Sequence, residues 1–116
     1  MAAQMEISRK ETDQGIVVIS PVGRIMIGDE SAQIESSVSD ALAQGKTRIV
    51  FDLSGVNHMD STGIGRFIAS LNKVMQSGGK LRMAAATPVI REGFRVTRLD
   101  TVFEFFDDVD AACQGF

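Results

Sequence analysis

The stretch Arg48 to Gln76, RIVFDLSGVNHMDSTGIGRFIASLNKVMQ, constrains this chain more than any other. It opens on an apolar run, Ile49-Val50-Phe51, and closes with apolar residues at helical spacing, Ile64, Phe67, Ile68, Leu71, Val74 and Met75. A β-branched and aromatic run favours an extended chain, whereas the second spacing favours a helix with one buried stripe. Between them a short segment ends on Asp60-Ser61-Thr62-Gly63, so a hydroxyl stands at the mouth of a helix beside the end of a strand. A helix start presents unpaired N–H groups and the positive end of the macrodipole, and tolerates or attracts anions. Ser61 is the residue on which chemistry would centre.

The same alternation continues on both sides. Glu6 to Ile19 predicts two strands joined by a polar turn over Glu11 to Gly15. Ile16-Val17-Val18-Ile19 is β-branched throughout and predicts a strand buried on both faces, while the polar MEISRKET belongs at an edge. Pro21 and Gly23 interrupt that pattern, and Arg24 to Ile27 reads either as more strand or as loop. A helix is predicted from Asp29-Glu30-Ser31 to Gly45, with Ile34, Val38, Ala41 and Leu42 on its inner face. After the Arg48 to Leu53 strand, the residues up to Asp60, including His58, read as loop, and Asp52 as a carboxylate that accepts from loop N–H groups. On the central helix Phe67, Ile68, Leu71 and Val74 are expected in the core, with Arg66 and Lys73 in solvent. A strand over Lys80 to Ala85 follows, then a helix opened by Thr87-Pro88 with the threonine hydroxyl as cap and Val89, Ile90, Phe94 and Thr97 as its stripe. Val102 to Phe106 predicts the last strand, and Asp107-Asp108 caps a short helix through Cys113. The class is α/β: one domain over residues 1–116, its sheet mainly parallel, with the first strand antiparallel through its hairpin.

Charge and composition exclude several functions. Twelve basic against fifteen acidic residues give a net charge of -3, which argues against binding the nucleic-acid backbone. A single cysteine, Cys113, allows no internal disulfide and fits a reducing compartment. Neither a signal-type leader nor an apolar run long enough to span a bilayer is present, so a cytoplasmic protein without membrane insertion is expected. Gly63-Ile64-Gly65 lacks the third glycine of a dinucleotide fingerprint, and no Gly-Lys-Ser of a phosphate loop occurs. The only histidine, His58, lies three residues before Ser61, a poor spacing for a serine–histidine pair, and there is no Gly-x-Ser-x-Gly elbow. No catalytic residue, metal ligand or cofactor follows from these residues. Two readings of Ser61 stay open: a helix cap, or a serine modified from outside. Phosphorylation would add about -1.5 to -2 charges and three acceptor oxygens there.

The run VFDLSGVNHMDSTGIG resembles the signature of STAS domains, the group named for sulfate transporters and anti-sigma factor antagonists. Gly23-Arg24-Ile25 is similar to the family's Gly-x-Leu, Gly78-Gly79-Lys80-Leu81 to its second turn into a strand, and Leu99-Asp100-Thr101-Val102-Phe103 to its Leu-x-x-Val/Leu-Phe. The resemblance implies strands that neighbour one another in chain order, with helices packed mostly on one side. For the antagonist branch it implies a switchable binding module without catalysis. There, the serine after the aspartate, here Ser61, is phosphorylated by a partner that is both serine kinase and anti-sigma factor, and a serine phosphatase is a further possible partner. Asp60, Ser61, Thr62 and Gly63 would form the partner contact. An aspartate that many antagonists carry after the Gly-x-Leu is replaced here by Met26, with Asp29 and Glu30 close by. The other reading is a scaffold, or a separate subunit of a signalling complex or transport system.

Overall fold

The computed structural model describes residues 4–116. In chain order it comprises β1 (Met5–Glu11), β2 (Val17–Ile25), α1 (Ala32–Ala43), β3 (Arg48–Asp52), β4 (Val56–Met59), α2 (Ser61–Gln76), β5 (Lys80–Ala84), α3 (Pro88–Val96), β6 (Glu104–Phe106) and α4 (Val109–Ala112). The sheet runs β1-β2-β3-β5-β6, with β4 also pairing β2. β1 lies antiparallel to β2 at the edge, and the other pairings are parallel. Except for β4, strands follow chain order, as the resemblance implied.

β4 is the element that the sequence reading took for loop. β2 pairs with β3 over Val17 to Ile19 and with β4 over Gly23 to Ile25, so one strand serves two partners in succession. Pro21 sits between these two stretches. The Gly23 N–H reaches Gly55 O at 2.8 Å, and Pro21, two residues earlier, faces the same way by the strand's period of two. Its missing donor therefore falls in the gap between β3 and β4, where no ladder bond is lost. Arg24 and Ile25 are strand, not loop.

Two cores flank the sheet. On one face Val17, Ile19, Ile49, Phe51, Leu81 and Met83 meet Ile34 and Val38 of α1, Phe67 and Val74 of α2, and Ile90 and Phe94 of α3. Phe67 links sheet to helix: its ring stands 5.0 Å from Phe51 at 89° and 6.0 Å from Phe94. On the other face Ile16, Val18, Val50 and Ala84 are covered by Ala112 of α4 together with Phe106, Val109, Cys113 and Phe116. Arg82 closes this second face. It is 6% exposed, donates to the carbonyls of Ala112, Gln114 and Gly115, and lies between the rings of Phe106 and Phe116. Carbonyls left over at the end of α4 thus find a donor, and the cation is held by carbonyls and aromatic faces.

The phase of α2 differs from the sequence reading. Its buried residues are Gly63, Phe67, Ser70 and Val74, while Ile68 and Leu71 are only partly buried and Met75 is 63% exposed. Ser70 can turn inward because its hydroxyl donates to Arg66 O at 2.8 Å, so that buried hydroxyl is paired. The rotation brings Arg66 and Lys73 over α1, where they meet Glu35 and Ser39. Smaller differences follow the same local logic. The Ser31 hydroxyl donates to Gly28 O instead of capping α1, and α3 starts on Pro88 with no side-chain cap from Thr87. Val89 is 68% exposed, β5 stops at Ala84 because Ala85 turns to φ 59°, and Val102 lies outside β6.

Phe67 therefore carries more of the packing than Leu71. Phe67→Ala is expected to cost about 3 to 5 kcal/mol, as buried aromatics generally do, and Leu71→Ala distinctly less. Urea midpoints of the two variants check the order, and equal midpoints would contradict this helix phase.

Candidate functional site

The site lies where parallel strands end and helices begin. β4 hands the chain to α2 beside the end of β2: Met59 is in register with Ile25, and the Asp60 N–H donates to Ile25 O at 3.1 Å. Asp60 is extended, φ −97° and ψ −175°, and is the N-cap of α2. Its Oδ1 accepts from the Gly63 N–H at 2.8 Å and its Oδ2 from the Ile27 N–H at 2.8 Å. One carboxylate thus satisfies the first turn of the helix and ties it to the β2–α1 loop. The N–H groups of Gly63 and Ile27, and then that of Thr62, hold the Asp60 carboxyl below its ordinary pKa.

The cap being Asp60, Ser61 is released from that duty and becomes the first helical residue, exposed to solvent. The capping reading of Ser61 is thereby displaced. Thr62 is half-buried and Gly63 buried. A Cβ on Gly63 would stand 2.4 Å from Ile25 O and 2.9 Å from Ile25 Cγ2, so only glycine lets α2 start this close to β2. Of the four expected contact residues, Ser61 and Thr62 present side chains, whereas Asp60 and Gly63 hold the turn in place.

Several other residues find their roles here. His58, read as loop, is an exposed residue of β4 in register with Arg24. Asp52 accepts from the Ser54 N–H at 3.0 Å, as expected of a strand-end carboxylate. Glu30 accepts from the N–H groups of Gln4 and Met5. Met26 is half-buried and Asp29 exposed. Ile27 was not singled out from sequence, and Arg66 was read only as a solvent-facing residue of the central helix. Ile27 is 76% exposed beside the site, and its only signal was an isoleucine outside any periodic stripe. Arg66 lies across α1 and the β2–α1 loop, which one-dimensional periodicity does not disclose.

Chemically, the arrangement offers an accessible hydroxyl with an occupied carboxylate as its neighbour. Both Asp60 oxygens accept main-chain N–H groups, so this carboxylate is poorly placed to act as a base. Among the described residues there is no group of three or more His, Cys, Asp or Glu that could hold a metal ion. Nor, among them, is any helix long and apolar enough to cross a membrane.

Comparison with known proteins agrees with this architecture. Residues 8–112 match the STAS domain, and the chain belongs to that family. The anti-sigma-F factor antagonist RsfB of Mycobacterium tuberculosis is 30% identical over 101 residues, covering 87% of this chain and 81% of that protein. An anti-sigma F factor antagonist of Lysinibacillus sphaericus is 30% identical over 102 residues, covering 85% and 81%. The crystal structure of an anti-sigma factor antagonist from Mycobacterium paratuberculosis superimposes with a TM-score of 0.78 at 26% identity, covering 93% of this chain and 90% of the other.

Because the folded-state pKa of Asp60 is depressed, its stabilisation is complete above the ordinary carboxylate range and is lost as pH falls through the folded value. Asp60→Asn removes that titration. The stability difference between wild type and Asp60→Asn should therefore shrink between about pH 7 and about pH 3, measured as urea midpoints. A constant difference would mean that the charge on Asp60 contributes nothing. Gly63→Ala, which overpacks the turn against Ile25, is expected to cost about 1 to 3 kcal/mol, read from the same unfolding curves.

Proposed function

We propose that this chain is a phosphorylation-switched binding module of the anti-sigma factor antagonist type. Unphosphorylated, it docks an anti-sigma factor through the Asp60–Gly63 turn, and a sigma factor is released. Phosphorylated on Ser61 by that same partner acting as a serine kinase, it is rejected; a phosphatase restores it. The observation that carries this reading is the position of Ser61, exposed on the first turn of a helix whose cap is a different residue. Two relatives at 30% identity that are named as antagonists of anti-sigma factors support it.

The physical argument concerns where the new charge falls. The Asp60 carboxylate already accepts from the Gly63 N–H at the positive end of α2. A phosphate on Ser61 would share that end with a carboxylate, so helix attraction of about 0.3 to 2 kcal/mol is offset in large part by repulsion. In water the fold should change little. In a contact fitted to a neutral hydroxyl, burying an unpaired dianion costs several kcal/mol. At about 1.4 kcal/mol per tenfold, a loss of roughly 100-fold or more in affinity follows.

The test is incubation with ATP and the cognate serine kinase, then intact mass, phosphopeptide mapping and calorimetric binding. One phosphate on Ser61 is expected, with affinity reduced about 100-fold or more. Ser61→Asp should reproduce part of the loss, and Ser61→Ala should bind constitutively. A phosphate on Thr62, or tight binding by Ser61→Asp, would overturn the assignment. A fall in melting temperature of about 10 °C or more on phosphorylation would point to a folding switch instead.

A further inference from the structure

Beyond the Asp60 bond, a second tie joins α2 to the β2–α1 loop one helical turn further on. The Arg66 guanidinium donates from Nη1 to Glu35 Oε2 at 2.9 Å, from Nε to Ser31 Oγ at 3.2 Å and from Nη2 to Gly28 O at 3.4 Å. Ser31 Oγ in turn donates to Gly28 O at 3.0 Å. Three acceptors in three directions suit the planar fork of an arginine and not the point charge of a lysine. The Arg66 and Glu35 side chains are 27% and 23% exposed, so this pair is partly shielded from water. Gly28, at φ 137°, gives the loop a backbone that side-chain-bearing residues rarely adopt.

The loop held in this way carries Ile27. Its amide is bonded to Asp60 at 2.8 Å, while its side chain is 76% exposed. An isoleucine fixed by its backbone, with its side chain in solvent, is preorganised for contact: the cost of ordering it is met before binding.

We propose that Arg66 is a positioning residue, holding the Met26–Ser31 loop in register with the Ser61 turn so that Ile27 and Ser61 form one docking surface. The partner supplies an apolar pocket for Ile27 beside a polar contact to the Ser61 hydroxyl. This inference rests on the switch reading given above for Ser61. Removing the guanidinium leaves the Glu35 carboxylate without its cation and leaves Ile27 dependent on the Asp60 bond alone. Lys73, which donates to Ser39 Oγ at 2.9 Å, ties the same two helices away from the loop and is the natural control.

Amide exchange on the full-length protein, followed by NMR, tests the positioning directly. Arg66→Gln should speed exchange at Ile27 by about tenfold or more, with the Val74 amide of α2 unchanged. Lys73→Ala should leave Ile27 within about twofold of wild type, and Arg66→Lys should fall between Arg66→Gln and wild type. The docking arm is calorimetry with the kinase found to phosphorylate Ser61: unphosphorylated Arg66→Gln should bind about tenfold more weakly, while Lys73→Ala stays within about twofold of wild type. Unchanged Ile27 exchange in Arg66→Gln overturns the positioning role. Faster exchange with undiminished affinity overturns the docking role. Should no kinase modify Ser61, the docking claim falls with the switch reading, and the exchange comparison still decides whether Arg66 places the loop. Should Arg66→Gln not fold, Arg66→Lys set against Lys73→Ala carries the same comparison.

Discussion

The Asp60 carboxylate is the interaction on which the arrangement depends. One oxygen terminates a helix and the other holds a loop that leaves a different strand. A serine or threonine cap would serve the helix but has a single side-chain oxygen. The two-oxygen acceptor geometry of a carboxylate is what joins the two segments. Charge-assisted bonds to main-chain N–H groups are also the stronger kind, and they draw the Asp60 pKa down. Ser61 is free for other work because its neighbour does the capping.

Much of this was legible in the sequence for physical reasons that can be named. Ile16 to Ile19 is apolar at every position because the start of β2 and the residue before it are covered on both faces, by the helical layer on one side and by α4 with the C-terminal residues on the other. The polar β1 sits at an edge, where charge discourages further pairing. β4 was missed because it has only four residues, of which Asn57 and His58 are exposed, and no alternation can be counted over so short a span. Its existence depends on β2 changing partner around Pro21, a tertiary fact. The phase of α2 was misread for a related reason. Apolar character was taken as the mark of the inner face, whereas close approach to β2 selected the small Gly63, a paired hydroxyl let Ser70 face inward, and Met75 stayed outside. In the site, Asp60 to Gly63 was legible as a motif, but the division of labour within it was not. Which oxygen goes where is decided by Ile27, far away in the chain.

The two faces of the sheet are closed by different physics. Three helices and a chain of phenylalanine rings seal the first. The second has only a four-residue helix, too short to bury much surface, and it relies on Arg82 to gather the carbonyls that follow. Among the described residues the Arg82 Nε has no hydrogen-bond partner, and a Glu104 oxygen lies 3.9 Å away.

The bond between the Ile27 amide and Asp60 spans 33 positions of sequence. Such a contact needs both segments in place, so a short peptide bearing Asp-Ser-Thr-Gly lacks the surface around Ser61. A partner that requires both segments at once therefore recognises a completed tertiary structure. Under the switch proposed for Ser61, the signal would register the number of correctly folded molecules, and damaged copies would drop out of it.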